Sequence, residues 1–320
     1  MGNISIHSLV ENQVKMLKDL APVCLFAYKR KDLVKQTIEA LQLNYLSKNT
    51  ELIVFCDGAR DKRDERAVQD VRLYLSNISG FRSVKLIERD CNYGLSKNII
   101  DGVSRVLKNH NKVIVLEDDM ETSSYFLKYM NDALNTYSND VNVSCIHGYV
   151  YPGINFEKPF FLKGADCWGW ATWKRSWDTF EQNASNLFRE LKQKNLFYDF
   201  DYDGSYPYSK MLKHNLSGLN DSWAVRWYAS CYLNDSLTLY PNKSLVRNIG
   251  HDNSGTHCSE TDVYDIELSN SPILVDKINI EQSLVARDQF KYYFKNLEKN
   301  VVKKFIKKLR GLLSASGIIL

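Results

Sequence analysis

The sequence predicts an α/β protein with a mostly parallel sheet that is flanked by helices. In the first half of its 320 residues, short apolar runs of strand length alternate with segments whose apolar residues recur at helical spacing. This alternation is typical of strand–helix–strand units, in which the strands run parallel. Hydrophobic residues make up 44% of the chain, which is enough for a large core. The sequence contains no run of about 18 apolar residues, so it predicts no membrane-spanning helix.

Five apolar runs predict the strands of this sheet, at residues 22–28, 51–58, 83–88, 112–118 and 141–148. In parallel sheets, ligands bind beyond the carboxyl ends of the strands, so the polar residues that follow each run mark a candidate site. Topology alone brings three distant clusters to this edge. They are Lys29-Arg30, Asp57-Gly58 and Glu117-Asp118-Asp119.

Composition and motifs exclude several classes of function. The net charge of +4 is small and gives no sign of a nucleic-acid partner. The seven cysteines are odd in number and include no CxxC pair, which favours reduced thiols over a disulfide framework. The turn after the first strand has no GxGxxG, and the chain has no P-loop, HExxH or GxSxG motif.

The acidic triplet at residues 117–119 is the strongest local signal for chemistry. Three carboxylates at a strand end repel one another unless a cation is present. Their oxygens favour Mg²⁺ or Mn²⁺, which use one or two carboxylates together with substrate phosphates. Because side chains alternate along a strand, we expect Glu117 and Asp119 on one side and Asp118 on the other. The alternative is a solvated loop or the first turn of the next helix.

Several segments together carry a resemblance to a known family, in the order PVCLFAYKR, VFCDG, NYGLSKNI, LEDDM, a WGW-containing segment, DSWAVRW and TLYPNKSLVRNIG. Over residues 20–258 the chain resembles GT-A fold glycosyltransferases. It is most similar to the N-acetylglucosaminyltransferase I type, whose acidic motif is also EDD, and it resembles bacterial enzymes of surface-polysaccharide synthesis. The resemblance implies inverting, metal-dependent transfer of a hexose or N-acetylhexosamine. The donor would be a nucleotide sugar, with UDP favoured, and the acceptor a glycan or glycolipid.

The resemblance assigns the metal and the charged part of the donor to residues at the predicted edge. Asp119 would bind Mn²⁺ or Mg²⁺ directly, while Glu117 and Asp118 would support the metal and the nucleotide ribose. Arg30 would reach the diphosphate, which a guanidinium suits. Lys97 would add charge near the phosphates, or it lies on a solvated helix face.

The resemblance also implies contacts to the nucleoside and a general base. Asp57 would contact the base or the ribose, and Asn92 would border the base. An inverting enzyme needs a carboxylate that takes the proton from the acceptor hydroxyl, and Asp221 is the predicted base. The alternative is that Asp221 or Ser222 only caps a helix. Asp166 is the second candidate, and Asp201 and Asp203 are weaker ones.

Aromatic residues and histidines in the second half have two interpretations each. Trp168 and Trp170 form either a platform for an acceptor sugar or part of a core. Trp173 and Trp177 are four residues apart, which predicts core positions on one helix face. His251 is a candidate extra metal ligand and His257 a candidate acceptor contact, or both histidines make ordinary hydrogen bonds.

The chain divides by this resemblance into an N-terminal extension (1–20), a donor-binding half (21–150), an acceptor-binding and catalytic half (151–260) and a helical region (261–320). Residues 301–313 form a basic amphipathic helix in the prediction, which suits an anionic membrane surface. Packing on the globular domain or on a partner is the alternative. We expect a cytoplasmic protein, peripheral at the inner face of the membrane if this helix binds lipid.

Two other functions compete with sugar transfer. A nucleotidyl- or phosphotransferase would use the same edge of an α/β sheet, although the chain lacks a glycine-rich phosphate loop. A non-catalytic carbohydrate-binding module would keep the fold without the chemistry.

Overall fold

The computed structural model describes residues 19–251 and 263–297. The strands are β1 (Val23–Ala27), β2 (Glu51–Cys56), β3 (Ser83–Glu88), β4 (Lys112–Glu117), β5 (Met120–Thr122), β6 (Val143–His147), β7 (Phe160–Lys163), β8 (Trp170–Trp173), β9 (Leu237–Tyr240) and β10 (Val246–Asn248). The helices are α1 (Lys31–Gln42), α2 (Lys62–Leu75), α3 (Leu95–Leu107), α4 (Phe126–Thr136), α5 (Lys174–Trp177), α6 (Ala184–Gln193), α7 (Phe197–Phe200), α8 (Tyr208–Leu216), α9 (Trp223–Leu233) and α10 (284–297).

Eight of these strands form one sheet in the order β3-β2-β1-β4-β8-β6-β9-β7. The first four run parallel, β8 is antiparallel to β4 and β6, β6 and β9 run parallel, and β7 is antiparallel to β9. This confirms the α/β class and the mostly parallel sheet. Strands from both sides of residue 150 share the sheet, so the proposed halves meet within it.

Alternation along β1 sends side chains into two apolar layers, one on each face of the sheet. Val23 and Leu25 pack with α1 and α4, whereas Cys24 and Phe26 pack with α3. Gly102 allows α3 to lie close to the sheet, because a side chain there would overlap the Phe26 ring. The alternation is the physical reason why these strands read as continuous apolar runs in the sequence.

Trp173 and Trp177 do not share a helix face, and that prediction is wrong. Trp173 ends β8, and the helix begins only at Lys174. The two indoles consequently point into different layers: Trp173 Nε1 donates to Leu134 O at 3.1 Å, and Trp177 Nε1 donates to Ser104 Oγ at 2.9 Å.

A two-stranded ribbon beside the main sheet pairs β10 with β5 in antiparallel register. It brings the chain after β9 back to the acidic triplet. Over residues 19–251 and 263–297, no helix has the length and apolar character that are needed to cross a bilayer.

Candidate active site

An arginine joins the end of β1 to the end of β4. Arg30 follows β1, and the parallel pairing of Phe26 with Glu117 places it beside the acidic triplet. Its Nη2 atom donates to Asp118 Oδ1, and to Asp119 Oδ2 at 2.7 Å. Two of the three polar clusters that the sequence predicts at this edge are therefore in direct contact.

The side chains of the triplet do not alternate as the strand pattern predicts. β4 ends at Glu117, and residues 118 and 119 lie in a turn. Asp118 and Asp119 both reach Arg30 as a result. The prediction that Asp118 lies on the opposite side is wrong, because the extended geometry stops one residue before it.

Burial and crowded negative charge raise the pKa of two residues of the triplet. Burial, together with the charges of Asp119 and Asp118, raises the pKa of Glu117 to about 8. Burial also raises the pKa of Asp118 to about 6, although the Arg30 charge acts in the opposite direction. One guanidinium does not neutralise three carboxylates, and this is the electrostatic condition that favours a further cation.

Asp119 has an oxygen that fits a metal ligand. Its Oδ1 atom is enclosed and has no hydrogen-bond partner among the described residues, while Oδ2 accepts from Arg30. A side chain at Gly250 would overlap the Asp119 carboxylate, so the glycine leaves the room that this carboxylate occupies. Within the described ranges, no three or more histidine, cysteine or carboxylate side chains form a metal cage. A cation that is held by one or two carboxylates and by substrate phosphates needs no such cage.

Asp57 organises the loop that follows β3. Its carboxylate accepts hydrogen bonds from the N–H groups of Gly58 (2.9 Å), Tyr93 (2.8 Å) and Gly94 (3.0 Å) and from Asn92 Nδ2 (3.1 Å). Asn92 is therefore a direct neighbour of Asp57. The carboxylate fixes the loop and the start of α3 at the same edge of the sheet as Arg30.

Lys97 contacts this loop through an aromatic ring. Its Nζ atom lies 4.3 Å from the centroid of Tyr93, and the Arg89 guanidinium lies 4.6 Å from the same centroid. Arg89 is itself held by an ion pair with Asp101 at 2.6 Å. Tyr93 thus gathers positive charge beside Asp57, and cation–π contacts of this kind order long basic side chains.

Asp221 lies at the start of α9 and is tied to α3. Ser222, not Asp221, caps the helix, because its Oγ accepts from Val225 N at 3.3 Å. Arg226 Nη2 donates to Asp221 Oδ1 at 2.8 Å and to Ser96 Oγ at 2.6 Å. The Asp221 side chain is 74% exposed, so the carboxylate is held on one side and open to solvent on the other.

Asp166 lies on the opposite flank of the triplet, before β8. Its Oδ1 atom accepts from Cys167 N at 2.8 Å and is 3.8 Å from His147 Nε2. His147 is fully buried, and burial lowers the pKa of its imidazole despite the nearby Asp166 charge. The neighbouring Trp168 N–H donates to His147 Nε2 at 3.2 Å, which orients the segment between Asp166 and β8.

The two tryptophans of the WGW segment have different environments. Trp170 is 1% exposed and packs among Trp223, Trp177 and Trp227, so it belongs to the core and offers no face to a sugar. Trp168 is partly exposed. Only Trp168 therefore stays a candidate for acceptor contact.

His251 follows β10 and lies at the same edge of the sheet. Its ring centroid is 5.6 Å from that of Trp168 and 5.1 Å from that of Tyr264. It is next to Gly250, which packs against Asp119. His257 and residues 301–313 lie outside the described residues.

Sequence patterns missed two residues that shape this site. Arg226 was detectable in principle, because it is a charged residue inside an otherwise apolar helix and such a residue needs a partner. Gly250 gives no comparable signal, since its role depends on the approach of β10 to the turn after β4.

One protein family and several solved structures are similar to this chain. The family model described as Glycosyl transferase family 2 matches residues 23–192, more than half of the chain. The mannosyltransferase PcManGT from Pyrobaculum calidifontis, in complex with GDP-Man and Mn²⁺, is 14% identical with a TM-score of 0.30, over 45% of this chain and 42% of that chain. TarS of S. aureus is 14% identical with a TM-score of 0.41, over 70% of this chain and 36% of that chain. The match thus spans less than half of each of these two structures, and no curated protein matches the sequence.

Proposed function

We propose that this chain, which belongs to glycosyl transferase family 2, is a GT-A fold enzyme that transfers sugars with inversion and with a divalent metal ion. The proposed donor is a nucleotide sugar, with UDP favoured as in the N-acetylglucosaminyltransferase I type. The proposed acceptor is a glycan or a lipid-linked sugar. Family membership favours this activity over the nucleotidyltransferase and the non-catalytic alternatives.

The observation that carries the proposal is the contact of Arg30 with Asp118 and Asp119, beside an Asp119 oxygen that has no hydrogen-bond partner among the described residues. Asp119 would hold Mn²⁺ or Mg²⁺, with Glu117 and Asp118 in support. The bound cation would stabilise the negative charge that develops on the leaving diphosphate. Arg30 would act on the same charge, since its Nη1 atom is enclosed and has no partner in the described part of the chain.

The nucleoside would bind along the loop that Asp57 organises. Asp57 and Asn92 lie together there, and Lys97 supplies positive charge on the adjacent turn of α3. The Asp57 carboxylate already accepts four hydrogen bonds from the protein. Its first effect on donor binding is therefore to hold the loop in shape.

Asp221 would act as the general base. As the acceptor oxygen attacks the anomeric carbon and the bond to the diphosphate breaks, the hydroxyl proton would move to an Asp221 oxygen. Arg226 supports this role by position, because its Nη2 atom ties Asp221 to Ser96 at the start of α3. Asp221 is thereby linked to the loop that would carry the nucleoside.

The second half would receive the acceptor. We propose Trp168 as a sugar contact, with Asp166 beside it, and we retain His251 as an extra metal ligand and His257 as an acceptor contact. From the sequence, we also propose that the protein is cytoplasmic and that residues 301–313 contact the inner face of the membrane. The division into a donor half (21–150) and an acceptor half (151–260) follows from these roles.

A thermal-shift screen tests the proposal directly. UDP-glucose, UDP-galactose, UDP-N-acetylglucosamine and GDP-mannose are each added with Mn²⁺ or with a chelator. We expect one of them to raise the melting temperature by several degrees, and only with metal, because a ligand that binds the native state stabilises it. Asp119→Ala should abolish this shift, whereas Asp132→Ala, which loses only a helix-surface pair with Lys128, should retain it. A shift that needs no metal, or one that survives Asp119→Ala, contradicts the proposal.

A further inference from the structure

Five tyrosines surround the region of Asp166, and they come from parts of the chain that are far apart in sequence. We call this group the tyrosine cluster, and its members are Tyr151, Tyr202, Tyr206, Tyr208 and Tyr240. Two phenylalanines of α10 join them: Phe294 lies 4.7 Å from Tyr206 and 5.3 Å from Tyr202, and Phe290 lies 5.2 Å from Tyr151 and 5.4 Å from Tyr240, as ring centroids. Most of the group lies outside residues 23–192, the part that the family model matches.

The hydroxyl groups of the cluster are mostly unused by the protein. Tyr240 donates to Asp166 Oδ2 at 3.4 Å. The hydroxyls of Tyr151, Tyr202, Tyr206 and Tyr208 have no hydrogen-bond partner in residues 19–251 and 263–297, whereas the nearby Tyr228 hydroxyl donates to Phe200 O at 2.9 Å. Hydroxyls next to a core normally find partners. Because Tyr206 and Tyr208 are partly exposed, the cluster is open to solvent, and a bound ligand can provide the missing hydrogen-bond partners.

Asp166 gives this group a hydrogen-bond acceptor. In the described residues no lysine or arginine lies within 4 Å of its carboxylate, and the nearest basic side chain is the buried His147. Burial, and then the charge of Asp166, raises the pKa of Tyr151, Tyr202, Tyr208 and Tyr240. These phenols therefore stay protonated, and the hydroxyl of Tyr240 donates to the Asp166 carboxylate.

This arrangement lies directly beside the proposed metal and donor site. In the antiparallel register of β4 with β8, Val115 pairs with Trp170. β4 ends at Glu117, two residues after Val115, and Asp166 and Trp168 lie in the segment that leads into β8. Burial, and then the charges of Asp166 and Glu117, raises the pKa of Cys167, so this thiol is within electrostatic reach of both carboxylates.

Ion pairs hold the wall that α10 forms. Arg287 pairs with Asp203 at 2.7 Å and with Asp199 at 2.6 Å, and Lys291 pairs with Asp203 at 2.7 Å. Tyr202 and Asp203 both have positive φ, of 51° and 56°. Such backbone is unfavourable for side chains other than glycine and persists where surrounding contacts enforce it. The ion pairs of α10 thus fix the turn that presents Tyr202 to the cluster.

We propose that Asp166 and the tyrosine cluster form the subsite for a pyranose ring of the acceptor, with α10 as the wall that sets specificity. The partly exposed rings of Tyr206 and Tyr208 would pack on the C–H faces of the sugar, phenol hydroxyls would donate to its ring and hydroxyl oxygens, and the carboxylate would accept from a sugar hydroxyl. This inference rests on the proposed function, since it assigns the acceptor side of the same active site. Asp166 is a binding group in this assignment, and Asp221 remains the base.

Saturation-transfer NMR on the full chain tests the subsite with defined probes. The probes are the methyl pyranosides of glucose, galactose, mannose, rhamnose and N-acetylglucosamine. We expect at least one to bind, and Asp166→Asn and Tyr208→Phe to weaken that binding by about tenfold or more, as the loss of a hydrogen bond to a charged or an otherwise unsatisfied group does. Absence of binding by every pyranoside, or binding that both variants leave unchanged, overturns the proposal.

Tyr228→Phe is the matched control. Its hydroxyl has a protein partner, so this variant should lower the melting temperature and leave pyranoside binding unchanged. Tyr208→Phe should do the reverse, because its hydroxyl has no partner in the described part of the chain. The opposite outcome is that Tyr208→Phe lowers the melting temperature as Tyr228→Phe does and leaves sugar binding unchanged. In that case the Tyr208 hydroxyl is structural and the proposed subsite is wrong.

A second arm separates the acceptor from the donor sugar. The bound pyranoside is titrated with each nucleotide sugar of the thermal-shift panel in the presence of Mn²⁺. Simultaneous binding supports an acceptor subsite, whereas displacement by a nucleotide sugar but not by its nucleoside diphosphate assigns the cluster to the donor sugar and overturns the proposal. Failure of the proposed function would appear separately, as the loss of metal-dependent stabilisation by every nucleotide sugar.

Discussion

Two groups of residues lie beside the acidic triplet: the donor flank, with Arg30 and Asp57, and the acceptor flank, with Asp166 and the tyrosine cluster. They satisfy their polar groups in opposite ways. On the donor flank, Arg30 contacts two carboxylates and Asp57 accepts four hydrogen bonds from its own loop. On the acceptor flank, four tyrosine hydroxyls near Asp166 find no partner among the described residues. The difference teaches that the donor flank is ordered by charge before any ligand binds, while on the acceptor flank the proposed sugar would supply the hydrogen-bond partners of these hydroxyls.

The largest expected effect concerns the proposed general base, Asp221. Asp221→Asn should lower the rate of sugar transfer by about 10²–10⁴-fold, which is the range for loss of a general base. Donor binding should persist, because Asp221 contacts only Arg226 among the described ion pairs. The measurements are transfer kinetics and the metal-dependent thermal shift. Asp178→Asn, which loses an exposed pair with Lys174, is the matched control. Loss of the donor shift in Asp221→Asn would assign a structural role instead.

Arg30→Ala tests whether the donor flank is organised by charge. The variant should weaken nucleotide-sugar binding by about tenfold or more, because a charge-assisted contact is lost and Asp118 and Asp119 keep unbalanced charge. It should also lower the melting temperature of the metal-free protein, with Mn²⁺ restoring part of the loss. Pyranoside binding should not change. Isothermal titration calorimetry with both kinds of ligand checks the comparison, and equal weakening of both would show that the flanks are not independent.

Gly250→Ala tests the position of Asp119. The added methyl group would overlap the Asp119 carboxylate, so this side chain must move. We expect a weaker dependence of donor binding on Mn²⁺, by about tenfold, with pyranoside binding retained. The thermal shift by the donor, recorded at increasing Mn²⁺ concentrations, measures this dependence. Wild-type manganese affinity in this variant would mean that the position of the Asp119 carboxylate does not determine metal binding.

The smallest expected effect is on the pH dependence of stability. The pKa values of Glu117 and Asp118 are raised to about 8 and about 6, so the folded chain holds protons that the unfolded chain releases near pH 4. The metal-free protein should therefore lose stability as the pH rises from about 4 to 8. Thermal melts with a chelator should show this slope, and Glu117→Gln should reduce it between pH 6 and 8. An unchanged slope in Glu117→Gln would show that Glu117 does not carry this titration.

The donor flank was largely predictable from sequence, whereas the acceptor flank was not. Apolar runs marked the strands, and the rule for parallel sheets then brought Arg30 to the acidic triplet. The same pattern failed one residue later, since the end of β4 is set by the turn and not by residue type, and Asp118 consequently faces Arg30. The tyrosine cluster and the α10 phenylalanines bring together residues from 151 to 294, and contacts over such separations leave no periodic signal in the chain.

The most direct test of the central claim is hydrolysis of the stabilising nucleotide sugar in the absence of acceptor, followed as release of the nucleoside diphosphate. With Mn²⁺ the wild-type protein should release it, a chelator should stop the release, and Asp119→Ala should lower the rate by about 100-fold or more. Asp132→Ala should keep the wild-type rate. Release that continues in the chelator, or at the wild-type rate in Asp119→Ala, would contradict a metal-dependent sugar transfer that is centred on Asp119.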